Sequence, residues 1–187
     1  SSYYFVINGY KIAFLNASRA EKFILTPGAS ETTPGVFRAY DPNPLAKRIK
    51  EEKQNSDYVV ALLHWGREDS HELEDVIIKD AKLYVDSGAY LIVGSHAHVL
   101  EGMEYYKDKL VAYNLGDFLF SHVSDYTGIL TLNLSNSGDM SYKFIPAYQE
   151  NFYTSFLTGS KADKLYQLMT SWSINVKIDN NGNVIKK

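Results

Sequence analysis

Residues 57–96, DYVVALLHWGREDSHELEDVIIKDAKLYVDSGAYLIVGSH, decide the predicted fold. Two short apolar runs, at 57–66 and 89–96, flank a segment in which apolar residues recur at helical spacing. Short continuous apolar runs are typical of strands that are buried on both faces. The pattern therefore predicts a strand, a helix over 70–86 and a second strand, which together form a βαβ unit with parallel strands.

Capping signals mark the ends of the predicted helix. Ser70 is the expected N-cap, acidic residues follow in the first turn, and Gly88 provides the stop. A second, charged helix is predicted for LAKRIKEEKQ, ending near Asn55, and a short helix is predicted over 161–172. Helices that alternate with buried strands predict an α/β protein.

Turn signals between β-rich runs predict several hairpins. Asn8-Gly9 separates two such runs near the beginning of the chain, which is a strong hairpin signal. Three more hairpins or turns are predicted within residues 102–116, 128–148 and 174–187. The fold class is therefore α/β with a mixed sheet, in which β-hairpins follow the βαβ unit. We expect a main domain over 1–150 and a carboxyl-terminal appendage, a helix plus a short hairpin, over 151–187.

Composition excludes several classes of function. The 187 residues are 45% apolar, which is enough for a substantial core, and carry a net charge of −3 without a basic patch. Nucleic acid is therefore not an expected partner. The absence of cysteine excludes thiol nucleophiles, Cys-ligated zinc and disulfides. No apolar run approaches the roughly 20 residues that a membrane-spanning helix needs. Since the sequence does not begin with Met, we expect a processed or excised part of a longer protein.

Three of the five histidines are predicted to meet at one edge of the sheet. His64 lies at the end of the first strand of the βαβ unit, and His96 and His98 lie at the end of the second. Sites form where loops leave the carboxyl ends of parallel strands, and converging neutral imidazoles select a transition-metal ion. The alternative is polar residues in a solvated loop. His71 and His122 lack such a placement and are expected to be ordinary surface or capping residues.

Three motifs carry a resemblance to a known family. HWGRE at 64–68, the segment 86–120 that contains GSHAHV and NLGDFLF, and GILTLNL at 128–134 resemble the CapA/PgsA family in order and spacing. These proteins take part in capsule and poly-γ-glutamate biosynthesis and have a metallophosphatase-like (calcineurin-like) fold. The chain departs from the family pattern at Asp117, where the family has Asn, and at Ala97, where it has Pro. The amino-terminal half of the pattern has no counterpart, so the chain resembles the carboxyl-terminal part of such a protein.

The resemblance implies roles for individual residues. It makes His64, His96 and His98 the carboxyl-terminal ligands of a two-metal centre that holds divalent zinc, manganese or iron. His96 is alternatively a proton donor or charge stabiliser. Two carboxylates, Glu68 and Asp117, are within reach by sequence, but neither is expected at a strand end beside the histidines. The site is therefore predicted to be incomplete in this chain.

Three residues near the histidines have alternative roles. Glu68 is a candidate catalytic residue that orients His64, or else a solvated carboxylate. Trp65 is a candidate substrate platform, or else a packing residue. Asp117 is a candidate substrate-binding residue in the turn below the site.

The resemblance also implies a function. We expect a component of capsule or poly-γ-glutamate biosynthesis at the cell surface, in a parent protein held at the membrane. The alternatives are a non-catalytic scaffold that binds the polymer or the synthase complex, and a general metallophosphoesterase. Metal-dependent hydrolase-like activity is expected only if the missing amino-terminal half is present.

Overall fold

The computed structural model describes residues 2–20, 26–120 and 124–187. In chain order, the elements are β1 (Tyr3–Ile7), β2 (Tyr10–Ser18), α1 (Asn43–Asn55), β3 (Tyr58–Trp65), α2 (Asp75–Ser87), β4 (Leu91–His96), β5 (Met103–Tyr106), β6 (Lys109–Ala112), β7 (Asp125–Leu134), β8 (Met140–Glu150), β9 (Tyr153–Phe156), α3 (Gly159–Trp172), β10 (Val176–Ile178) and β11 (Val184–Lys186).

The main sheet has six strands in the order β1-β2-β3-β4-β6-β5. The four inner strands, β2, β3, β4 and β6, run parallel, while β1 and β5 pair antiparallel at the two edges. The α/β class with a mixed sheet is confirmed, as is the predicted βαβ unit, which is β3-α2-β4. β7, β8 and β9 form a separate antiparallel sheet, and β10 pairs with β11.

One face of the main sheet is covered by the helices α1 and α2. Leu45 and Ile49 of α1 and Ile77 and Tyr84 of α2 are almost fully buried in one apolar cluster. The strands contribute alternate residues to this cluster, because successive side chains of a strand point to opposite faces. In β3 these are Val59, Ala61, Leu63 and Trp65.

The opposite face packs against the carboxyl-terminal part of the chain. Val60 of β3 and Leu110 of β6 share a second apolar cluster with Phe144 of β8 and with Leu165 and Met169 of α3. The helix that we assigned to an appendage thus packs into the same cluster as the main sheet. The division at residue 150 stays a prediction.

The start of α2 differs from the sequence prediction. The predicted helix over 70–86 begins instead at Asp75, after Glu74 in an extended conformation. The Ser70 hydroxyl accepts a hydrogen bond from the Glu72 N–H at 3.2 Å, which closes a local turn rather than capping a helix. The preceding Asp69 has a left-handed φ of 58°, which a helix does not continue. The stop at Gly88 is confirmed, with a φ of 118°.

The other predicted elements are confirmed. α1 ends at Asn55, and α3 covers the predicted 161–172 and begins two residues earlier. Asn8 and Gly9 both have left-handed φ values, as a two-residue hairpin turn requires. The remaining predicted hairpins are the pairs β5-β6, β7-β8 and β10-β11. Within the described residues, no helix is both long enough and apolar enough to cross a bilayer.

We expect Gly94→Ala to destabilise the fold by about 3 kcal/mol, because it overpacks a rigid core. A β-carbon at this position of β4 would overlap the Tyr113 carbonyl oxygen and the Trp65 indole nitrogen. Urea unfolding followed by circular dichroism measures the change.

Gly159→Ala serves as the control. A β-carbon there meets nothing within 4 Å, and its φ of 55° costs only about 1 kcal/mol. Equal effects of the two substitutions would contradict the close approach at Gly94.

Candidate metal centre

His64, His96 and His98 lie together at the carboxyl edge of the main sheet. His64 is the penultimate residue of β3 and is paired with Ser95, while His96 ends β4 and is paired with Trp65. Because β3 and β4 are parallel, their carboxyl ends meet at the same edge. The ring centroids of His64 and His96 are 4.6 Å apart, and those of His96 and His98 are 6.2 Å apart.

The rings are close, but they do not form a finished ligand sphere. Among residues 2–20, 26–120 and 124–187, no group of three or more His, Asp or Glu side chains is arranged to hold a metal ion. His64 Nδ1 lies 3.3 Å from the Ser95 hydroxyl. The structure thus brings the three predicted ligands to one place, and their role as ligands stays a prediction.

The loop that carries the histidines has an unusual backbone. His96 has a φ of 107° and His98 a φ of 64°, both in the region that favours glycine. Such conformations cost of the order of 1–3 kcal/mol each and concentrate at functional sites. The loop therefore turns sharply at both histidines, which keeps their rings at the sheet edge.

Asp117 contacts His98 directly. Nδ1 of His98 lies 3.0 Å from both carboxylate oxygens of Asp117 and donates to them in the tautomer that leaves Nε2 as an acceptor. Asp117 is not at a strand end, as predicted, but it nevertheless lies beside His98. The reason is the chain path, since Gly116, with a φ of 66°, turns Asp117 back toward the loop.

Glu68 also lies beside a histidine, although it is not at a strand end. Its Oε1 is 3.8 Å from His96 Nε2, which is longer than a hydrogen bond, and its side chain is 61% exposed. Two features bring it there. Gly66 turns the chain at a φ of 101°, and the Asp69 N–H donates to the Ala97 carbonyl at 2.9 Å. Glu68 therefore lies next to His96 rather than behind His64.

Trp65 lies in the core below the site. Its ring stacks between Tyr84 and Tyr113, at centroid distances of 6.4 and 6.2 Å, and its Nε1–H donates to the Tyr113 carbonyl at 3.1 Å. The side chain is 1% exposed and offers no surface to a substrate. The structure favours the packing role, because the β3 residue that follows His64 points to the helix-covered face.

Of the two remaining histidines, His71 lies within the described residues and His122 does not. His71 is half-buried, with its Nδ1–H donating to the Leu100 carbonyl at 2.7 Å and its ring stacked on Trp172 at 4.3 Å. It lies in the loop between β3 and α2 and packs against α3. His122 lies outside the described residues.

Glu101, a buried carboxylate behind the histidine loops, is a further residue of this region that the sequence did not predict. Its side chain is 1% exposed, and Oε2 has no hydrogen-bond partner among the described residues. That oxygen lies 3.3 Å from where a β-carbon of Gly66 would be. Burial raises the pKa of Glu101 to about 7, with a smaller opposing effect from the Asn114 amide. The only signal in the sequence was a charged residue inside the apolar segment VLEGM.

The raised pKa of Glu101 predicts a pH-dependent stability. Between about pH 4.5 and 7 the unfolded chain has lost this proton and the folded chain keeps it, so stability falls as pH rises through this window. Glu101→Gln removes the cost of ionising this buried carboxyl. We expect it to reduce the decline in the free energy of unfolding by about 2 kcal/mol. Urea unfolding at pH 5, 6, 7 and 8 measures it.

Glu72→Gln is the control for this experiment. Glu72 belongs to the loop between β3 and α2, and its side chain is 89% exposed. A decline that Glu72→Gln flattens equally, or that Glu101→Gln leaves unchanged, would contradict the assignment.

The chain is similar in sequence to a family of known proteins. The sequence model described as "Bacterial capsule synthesis protein PGA_cap" matches residues 1–122. "PGA biosynthesis protein CapA" of Bacillus subtilis (strain 168) is 41% identical over 92 residues, which are 49% of this chain and 24% of that protein. "Capsule biosynthesis protein CapA" of Bacillus anthracis is 36% identical over 118 residues, which are 61% of this chain and 28% of that protein. The aligned region thus spans about a quarter of the length of each relative.

A solved structure is also similar. The Haemophilus influenzae NAD nucleotidase aligns with a TM-score of 0.47 and 17% identity, over 96% of this chain and 38% of that one.

Proposed function

The chain belongs to the bacterial capsule synthesis protein family, and from this premise we propose that it is part of a protein of capsule or poly-γ-glutamate biosynthesis that uses a metal. The observation that carries the proposal is the gathering of His64, His96 and His98 at one sheet edge, with a carboxylate on His98. The names of the relatives, which refer to capsule and PGA biosynthesis, support the choice of pathway.

The donors at the sheet edge fit a divalent transition metal. Neutral imidazoles are the usual nitrogen ligands of zinc and related ions. A ligating histidine commonly donates its other ring N–H to a carboxylate, which fixes the tautomer and the ring orientation. His98 and Asp117 have this arrangement, with Nε2 of His98 left for the metal. Asp117 is therefore proposed as a positioning residue rather than a substrate contact.

The site also requires groups beyond this chain. Two-metal hydrolytic centres use carboxylates to neutralise and bridge the ions. We propose that the amino-terminal half of the parent protein supplies these ligands, and that Glu68 beside His96 serves as the local carboxylate. When bound, the metal would lower the pKa of a coordinated water and stabilise charge on a phosphoryl or amide group. In the alternative role, in which His96 is not a ligand, its imidazole would hold or transfer a proton at the same edge.

We expect this chain to bind at most one zinc or manganese ion, weakly, and to lack meaningful phosphoesterase activity. His64→Ala and His96→Ala should each weaken binding by about tenfold or more, because each removes a ligand. Asp117→Asn should weaken it by about tenfold, because it removes the charge that orients His98. Isothermal titration calorimetry measures all three.

His71→Gln is the matched control, since it removes an imidazole away from the three-histidine edge. Two tight metal sites in the wild-type chain would refute the proposal that the site is incomplete. Binding that both His64→Ala and His96→Ala leave unchanged would refute the ligand assignment. In the complete parent protein, capsule polymer that persists in a His96→Ala strain would favour the non-catalytic scaffold over the enzyme.

We also propose that the parent protein works outside the cytoplasm, held at the membrane. The capsule synthesis family supports this location, because a capsule is assembled at the cell surface. Protease treatment of intact cells should degrade an epitope-tagged parent protein, and fractionation should recover it with the membrane. Recovery in the cytosolic fraction, protected from protease, would contradict the location.

A further inference from the structure

A groove lies between the β7-β8-β9 sheet and the beginning of α3, apart from the histidines. Its volume is about 480 Å³, which is the size of a small ligand or a short polymer segment. Tyr126, Tyr148 and Ser155 form one row across the three strands, because Tyr126 pairs with Tyr148 and Tyr148 with Ser155. Lys161 and Lys164 of α3 line the opposite side.

The two lysines make the groove positive. They are three positions apart on α3, so they point from the same side of the helix. Within the part of the chain that the structure describes, neither ammonium forms an ion pair with a carboxylate. Glu150 is the one acidic residue among the described lining residues, so the lining carries two positive charges against one negative. An anionic ligand would satisfy both ammoniums.

The tyrosine row adds a surface for an extended chain. The rings of Tyr126 and Tyr148 meet edge to face at a centroid distance of 5.4 Å. Half-buried tyrosines offer an apolar ring for alkyl groups and a hydroxyl for polar ones. The groove thus combines charge, hydroxyl groups and apolar surface.

We propose that this groove binds a flexible chain that bears carboxylates at intervals, with neighbouring carboxylates on Lys161 and Lys164. The choice of a polycarboxylate over a small dianion rests on the proposed function. The preference for two negative charges rests on the lysines alone.

The test is a titration of the 187-residue chain with a γ-linked hexaglutamate at low salt. The double substitution Lys161→Gln with Lys164→Gln should weaken binding by about tenfold, because each exposed charge pair contributes modestly. Raising the salt to 0.5 M should weaken wild-type binding as well, because screening shortens the reach of exposed charges. A neutral hexaglutamine peptide should not bind.

The matched control is Lys47→Gln with Lys50→Gln, a pair of exposed lysines at the same spacing on α1. This pair should change binding by less than twofold. Absence of hexaglutamate binding, or an equal loss in the control pair, would overturn the groove. The titration is run in EDTA without added metal, so failure of the metal proposal cannot remove hexaglutamate binding, and the two proposals fail in different experiments.

Discussion

The parallel pairing of β3 with β4 is the constraint on which the rest of the structure depends. The pairing aligns His64 with Ser95 and Trp65 with His96, so the two strands end together. This pairing is possible because Gly94 has no side chain and leaves room for the Trp65 indole. The indole lies between Tyr84 and Tyr113, and its N–H donates to the Tyr113 carbonyl. The same tryptophan that anchors the strand faces the helices, so the histidine before it faces away from them.

The βαβ unit and the hairpins could be predicted from the sequence, because their signals are local. Continuous apolar runs, helical spacing and two-residue turns each depend on neighbours within a few positions. The start of α2 could not be predicted in this way. The Ser70 hydroxyl accepts a hydrogen bond within a local turn, and the helix begins only at Asp75. The packing of α3 against Phe144 and Leu110 could not be predicted either, since it joins segments far apart in the chain.

In the candidate site, too, some features could be predicted from the sequence and others could not. The meeting of the three histidines followed from topology, since parallel strands end at one edge. The contact between Asp117 and His98 depends on the turn at Gly116, and the position of Glu68 on the turn at Gly66, so neither could be predicted from spacing. Glu101 could not be predicted because its burial depends on residues far from it in the chain, among them Gly66. A single sequence does not reveal residues whose positions depend on contacts between distant loops.

The left-handed backbone at His96 and His98 also bears on how this loop can change in evolution. Glycine relieves the strain at such positions and asparagine tolerates it, whereas β-branched residues are strongly disfavoured there. A lineage released from selection for imidazole would have a route to Gly that is downhill in folding free energy. The tolerated exchanges at positions 96 and 98 are therefore few, and the exchange for glycine removes the imidazole and the strain in one step.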